Sequence, residues 1–98
     1  MWKVKEYREV LGEDGKSIKR EYINLKELEK FGFMQITYYP APIEYFKKVY
    51  LANDEDDRIC YHIFEVDRFI RITRLDGEEL DGTLYDLIKA DLVEKVEV

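Results

Sequence analysis

The chain has 98 residues, a hydrophobic fraction of 46% and a formal net charge of −6 from 22 acidic and 16 basic residues. A chain of this size and apolar content folds around one core, so we predict a single domain over residues 1–98. The acidic balance disfavours nucleic-acid binding. No apolar run reaches the ~20 residues of a membrane span, and the N-terminus lacks the apolar stretch of a secretion signal, so we predict a cytoplasmic protein.

Asp14 and Gly15 predict a β-hairpin, because Asp-Gly supplies the positive φ angles that a two-residue turn requires. A turn at these two residues fixes the register of the flanking strands. That register brings like or opposite side chains together in the facing pairs Tyr7 with Tyr22, Arg8 with Glu21, Glu9 with Arg20, and Leu11 with Ile18.

A short helix is predicted directly after the hairpin. Asn24 followed by Glu27 is a capping-box pattern, and Gly32 suits the left-handed position that ends a helix, so we place the helix over residues 25–31. The aromatic and β-branched residues at 33–39 then predict a strand that ends at a proline-containing segment.

The middle of the chain predicts more strands. Residues 43–52 alternate as in a strand but also show apolar spacing that suits a helix, and we choose the strand. The acidic residues 53–57 predict a loop, after which a strand over 58–64 returns beside the first one. The apolar alternation continues to residue 74, and typical strand length favours a break near Asp67-Arg68 over one long bent strand.

Thr83 with Asp86 resembles a second capping box and predicts a helix over Leu84, Leu87 and Ile88. Residues 92–98 alternate and add a final strand, which pairs either within the chain or with a second copy. Short connections dominate, so the fold class is α+β, with a mainly antiparallel sheet of five or six strands, open or strongly curved, and two short helices.

The only cysteine, Cys60, and the only histidine, His62, lie two residues apart on a predicted strand, so their side chains point to the same face. That spacing suits a thiol–imidazole pair or two metal ligands. Both residues share the parity of Phe64 and Val66, which favours the alternative that they fill the core. We therefore predict a protein that is not an enzyme.

No cofactor or metal site is predicted either. The acidic loop at 53–57 lacks the mid-loop glycine and the later bidentate glutamate of calcium loops. Glycine-rich phosphate loops and a nucleophile elbow are absent from the sequence, and its single serine, Ser17, lies beside the hairpin turn.

Tyrosine is the unusual residue, with eight copies, and it suits protein interfaces because it offers a large contact area at little entropic cost. The tyrosines around Pro40-Ala41-Pro42 and the neighbouring acidic loop predict a surface that binds a protein partner with a basic or mixed surface. A second copy of this chain, in a homodimer, is one alternative for that partner. The predicted partner-binding residues are Tyr38, Tyr39, Tyr45, Asp54, Glu55, Asp56 and Asp57.

Two other functions remain open from the sequence. A curved sheet could enclose a pocket lined by Tyr61 and Phe64 and bind a small molecule. The acidic residues could instead imitate the phosphates of nucleic acid in an inhibitor of a basic protein, although a charge of −6 is modest for that role.

Overall fold

The computed structural model describes residues 1–38, 40, 42–50, 58–74 and 81–97. Within these ranges the chain forms eight strands in three antiparallel sheets, together with two helices. The strands are β1 (Trp2–Val4), β2 (Tyr7–Leu11), β3 (Ile18–Tyr22), β4 (Met34–Ile36), β5 (Glu44–Tyr50), β6 (Arg58–Phe64), β7 (Ile70–Arg74) and β8 (Val93–Lys95). A 3₁₀ helix spans Leu25–Phe31, and α1 spans Thr83–Lys89.

The α+β class and the antiparallel pairing are confirmed, but the prediction of one sheet with five or six strands is wrong. Four consecutive strands, β4 to β7, form the main sheet, β2 pairs only with β3, and β1 pairs with β8. The strand β1 was not predicted, and its three residues are too few to show a clear alternation in the sequence.

The core lies on one face of the four-stranded sheet. Ile59, Tyr61 and Ile63 alternate along β6 and are fully buried. Leu28 of the 3₁₀ helix and Leu87 of α1 belong to the same buried cluster, so both helices cover this face. Burial of apolar surface here contributes about 25 cal/mol per Å² and is the main stabilising term. Val4 of β1, Val93 of β8 and Leu92, which directly precedes β8, belong to the same cluster.

The prediction of a strand rather than a helix after Pro42 is confirmed by β5. The predicted break between residues 58 and 74 is also confirmed, because β6 and β7 are separated by a turn in which Arg68 has a φ of 62°. The Arg68 guanidinium donates to the carbonyl of Lys5 at 2.7 Å and to that of Ile23 at 3.4 Å. This turn therefore ties the main sheet to the residues on either side of the β2–β3 hairpin.

The 3₁₀ helix begins and ends where the sequence predicts. The Asn24 side chain accepts from the Lys26 amide at 2.9 Å, and Gly32 ends the helix with a φ of 90°. The predicted capping role of Glu27 is wrong, because this carboxylate accepts from the Arg8 guanidinium at 3.2 and 3.3 Å. That ion pair attaches the hairpin to the helix.

The helix predicted after Gly82 is present as α1, but its capping box is wrong. Gly82 occupies the cap position, and Thr83 is the first helical residue, only 2% exposed. Its hydroxyl donates to Asp81 at 2.7 Å and accepts from Lys47 Nζ at 2.8 Å. The final strand, β8, is shorter than predicted and pairs within the chain, with β1.

The hairpin register is confirmed in all four predicted pairs. Its turn differs from the prediction, because positive φ occurs at Gly15 but not at Asp14. A hydrogen bond of 2.7 Å from the Gly12 amide to the Ser17 carbonyl closes a longer loop, and the Asp14 carboxylate accepts from the amides of Lys16 and Ser17. These hydrogen bonds from backbone amides to the Asp14 carboxylate stabilise a loop that needs a positive φ only at Gly15.

Candidate interaction surface

The four-stranded sheet has a second face, which points away from the core, and we call it the outer face. The pleat places alternate residues there, and the strand register aligns them across the sheet: Met34 lies opposite Phe46, Phe46 opposite His62, and His62 opposite Arg71. The outer face consists of Met34, Ile36, Glu44, Phe46, Lys48, Tyr50, Arg58, Cys60, His62, Phe64, Arg71 and Thr73.

Apolar and aromatic side chains occupy the centre of the outer face. The rings of Phe46 and His62 lie 5.1 Å apart and are tilted against each other. Met34 is 66% exposed, and Phe46 and Phe64 are half-buried. One-sided antiparallel sheets usually present polar residues to water, so this concentration of apolar side chains is unusual for an uncovered face.

Charged side chains of both signs lie on the outer face beside its apolar centre. Among the described residues, the strand register places Lys48, Arg58, Arg71 and Glu44 there. Arg71 lies 5.2 Å from the centre of the Phe64 ring, and Lys48 lies 5.9 Å from that of Phe46. The cations therefore surround and contact the aromatic residues.

A hydrogen-bonded pair and an ion pair hold the polar groups of this face in place. His62 Nδ1 lies 2.6 Å from a Glu44 carboxylate oxygen. Arg71 pairs with Asp67 at 2.6 Å, and this hydrogen bond lowers the pKa of Asp67 and raises the pKa of Arg71. Both pairs are partly exposed, so each contributes little to stability and mainly orients its side chains.

The prediction that Cys60 and His62 fill the core is wrong. Both are half-buried on the outer face. The residues of β6 that point into the core are Ile59, Tyr61 and Ile63. Within the described ranges no hydrogen bond joins the thiol to the imidazole. The sequence misled because Phe64 shares the parity of Cys60 and resembles a core residue, whereas it belongs to the apolar centre of the outer face.

Only one of the predicted partner-binding tyrosines is exposed in the described part of the chain. Tyr38 follows β4 and is 67% exposed. Tyr45 is corrected to a core residue with 4% exposure, because it lies opposite Ile63 on the inner face of the sheet. Tyr39 and the acidic residues 54–57 lie outside the described residues.

The pocket predicted from Tyr61 and Phe64 is also wrong. Side chains alternate between the two faces along β6, and these two residues are an odd number of positions apart, so their rings lie on opposite faces of the sheet. Tyr61 is fully buried against Phe33, with ring centres 6.1 Å apart. The two rings therefore cannot line the same cavity.

A polar cluster fixes α1 to the inner face. The Tyr61 hydroxyl donates to Asp81, and burial together with this hydrogen bond raises the pKa of Tyr61 far above its ordinary value. Burial acts to raise the pKa of Asp81, but hydrogen bonds from Tyr61 and Thr83 and the charge of Lys47 outweigh it, so that pKa is lowered. Tyr61 and Thr83 are almost completely buried, which makes this cluster structural.

The described ranges contain no group of three or more His, Cys, Asp or Glu side chains that could hold a metal ion. Neither described helix has the length and hydropathy needed to cross a membrane. In comparisons with protein-family models, curated proteins and solved structures, the chain has no significant match. We therefore infer a function from the geometry of the outer face.

Proposed function

We propose that the chain is a non-catalytic protein-interaction domain that works in the cytoplasm and binds its partner through the outer face. The observation that supports this proposal is an apolar centre that no described helix or strand covers and that contains the exposed Met34 and the half-buried Ile36, Phe46 and Phe64. Apolar residues gain free energy when a partner removes them from water, and aromatic residues dominate the energetics of protein interfaces.

The proposed partner is a protein surface with an apolar centre and acidic residues around it. Lys48 and Arg71 are exposed beside the Phe46 and Phe64 rings, so carboxylates of a partner would meet cations there. This differs from the surface predicted from sequence, where acidic residues faced a basic or mixed partner. Cations on the rim should increase the association rate more than the final affinity.

A single-stranded nucleic acid is less well suited to the same surface. Base stacking needs aromatic rings with free faces. Here the Arg71 guanidinium lies over Phe64, and Phe46 is tilted against His62. The chain charge of −6 also repels a phosphate backbone.

The non-catalytic part of the proposal rests on the relation between His62 and Cys60. Glu44 holds His62 Nδ1 as an orienting carboxylate would in a catalytic pair, but no hydrogen bond connects the imidazole to the thiol of Cys60 within the described residues. The imidazole instead packs against Phe46 as part of the apolar centre.

The proposal is tested by site-specific crosslinking followed by binding measurements. A photoreactive amino acid at Met34, which is 66% exposed, captures the protein that covers the outer face in cells of the source organism. The captured protein is identified, purified and titrated with the wild-type chain and with Phe46→Ser and Arg71→Glu. We expect each substitution to raise the dissociation constant at least about tenfold, equivalent to ~1.4 kcal/mol.

Tyr85→Ser is the matched control. Tyr85 is 62% exposed on α1, and α1 covers the inner face of the sheet, opposite to the outer face. This control should leave the dissociation constant unchanged. Equal affinity for the wild type, Phe46→Ser and Arg71→Glu would refute the proposal, as would tight binding of a single-stranded oligonucleotide that Phe46→Ser abolishes. Cooperative unfolding of each variant shows that the fold is retained.

A further inference from the structure

The β2–β3 hairpin has an exposed edge along β3. All five residues of β3 are exposed, including Ile18 at 68% and Tyr22 at 78%, and β3 has no strand neighbour besides β2 in the described part of the chain. Two-stranded sheets are only marginally stable in water, and an unpaired edge is a template for another strand. No proline or bulge blocks this edge.

The hydrogen-bond pattern shows which backbone groups point away from β2. Gly12 bonds to Ser17 at 2.7 Å at one end of the hairpin, and the Ile23 amide donates to Glu6 at 2.9 Å at the other. Bonded and non-bonded pairs alternate along an antiparallel ladder, so the pairs in between are also fixed. The residues of β3 whose N–H and C=O groups point outward are Ile18, Arg20 and Tyr22.

We propose that two copies of this chain associate by antiparallel pairing of their β3 strands, with the two-fold axis at Arg20. Only residues with outward backbone groups can exchange hydrogen bonds across the edge, and a register centred on Arg20 uses the whole strand. The result is a four-stranded sheet formed from two hairpins. Each facing pair exchanges both of its backbone hydrogen bonds.

The side chains support this register. It places Ile18 opposite Tyr22 of the second copy, so two apolar side chains that are exposed in the single chain cover each other. It also places Lys19 opposite Glu21 of the second copy in a non-bonded pair, where side chains approach most closely. By symmetry each of these contacts occurs twice.

The two Arg20 side chains face each other at the axis, which is the unfavourable part of the arrangement. Each guanidinium already lies over the Tyr7 ring of its own chain at 4.4 Å and faces Glu9 across the hairpin. These contacts direct the charge away from the axis and compensate it. The paired edge is short, so the association is weak and depends on protein concentration.

A charge-exchange experiment tests the register. Lys19→Glu places two carboxylates opposite each other in its homodimer, and Glu21→Lys places two ammonium groups opposite each other. We expect each variant alone to raise the dimer dissociation constant at least about tenfold. An equimolar mixture of the two variants restores both attractive pairs and should associate like the wild type in sedimentation velocity over a concentration series.

A proline substitution tests the backbone. Arg20→Pro removes an outward N–H and leaves the bonded pairs of the hairpin intact, so it should abolish the dimer while the hairpin remains folded. Leu11→Pro is the matched control, because it removes an outward N–H from the opposite edge, on β2, keeps the Glu9 and Tyr7 contacts of Arg20, and should leave the dimer intact. Amide NMR spectra show that both variants are folded.

Three outcomes would each refute this inference: a wild-type chain that stays monomeric into the millimolar range, a variant mixture that associates no better than its components, or an Arg20→Pro variant that dimerises normally. The hairpin edge and the outer face are separate surfaces. Phe46→Ser should therefore leave the dimer unchanged, and Arg20→Pro should leave partner binding at the outer face unchanged, so that each proposal fails separately.

Discussion

At the scale of the residue, Asp81 links the start of α1 to the main sheet. Its carboxylate accepts from the buried hydroxyl of Tyr61 and from Thr83. We expect Asp81→Asn to reduce the free energy of unfolding at neutral pH by about 1.5–3 kcal/mol, because it weakens hydrogen bonds to a charged acceptor next to buried donors. Urea denaturation followed by circular dichroism measures this loss.

The pH dependence of the same variant checks the cause. The pKa of Asp81 is lowered in the folded state, so its contribution is fully present above the ordinary value of 3.8 and is lost as the pH falls through the folded-state pKa. The stability difference between the wild type and Asp81→Asn should therefore shrink as the medium becomes more acidic than that. Asp67→Asn is a control for a partly exposed carboxylate and should change the stability much less.

At the scale of the element, β6 has one buried face and one partly exposed face. Ile63 is completely buried and Phe64, the next residue, is half-buried on the outer face. Ile63→Ala should cost about 2–5 kcal/mol by leaving a cavity in the core. Phe64→Ala should cost less than half of that, because part of its ring already contacts water. Urea denaturation measures the loss in the free energy of unfolding for each variant, and equal losses would contradict the assignment of the faces.

The strand β6 also shows where sequence reasoning succeeds and where it fails. Alternation and turn residues predict its length and its break from β7, because these depend on local backbone preferences. They do not predict which face is buried, since apolar residues occupy both parities. The assignment of Tyr61 to the core depends on Asp81, which lies outside the strand and meets it only in the folded chain.

The candidate surface could be predicted only in part for the same reason. Tyr38 is exposed as expected, but the apolar centre combines Met34, Phe46 and Phe64 from three strands, and their contact requires the strand order. The hairpin is the opposite case. Its register follows from neighbouring residues, so the pairs Arg8 with Glu21 and Leu11 with Ile18 were predicted correctly.

At the scale of the whole molecule, the pairing of β1 with β8 completes the core. Val4 from one end of the chain and Leu92 from the other are both buried. Deletion of residues 92–98 should abolish cooperative unfolding, because it exposes Val4 and removes two buried residues of the cluster. Deletion of residues 97–98 is the control and should retain a cooperative transition in guanidinium chloride. A cooperative transition in the longer deletion would show that the other two sheets form an independent core.

The β1–β8 pair also brings Met1 next to Val96, near the other end of the described residues. The amino group of Met1 donates to the carbonyl of Val96 at 3.2 Å, and the Val96 amide donates to Met1 in return at 2.8 Å. A short linker could join these ends with little loss of chain entropy. New ends could then be opened at the exposed hairpin loop, between Glu13 and Lys16, to give a circularly permuted chain with the same core and a different order of strands.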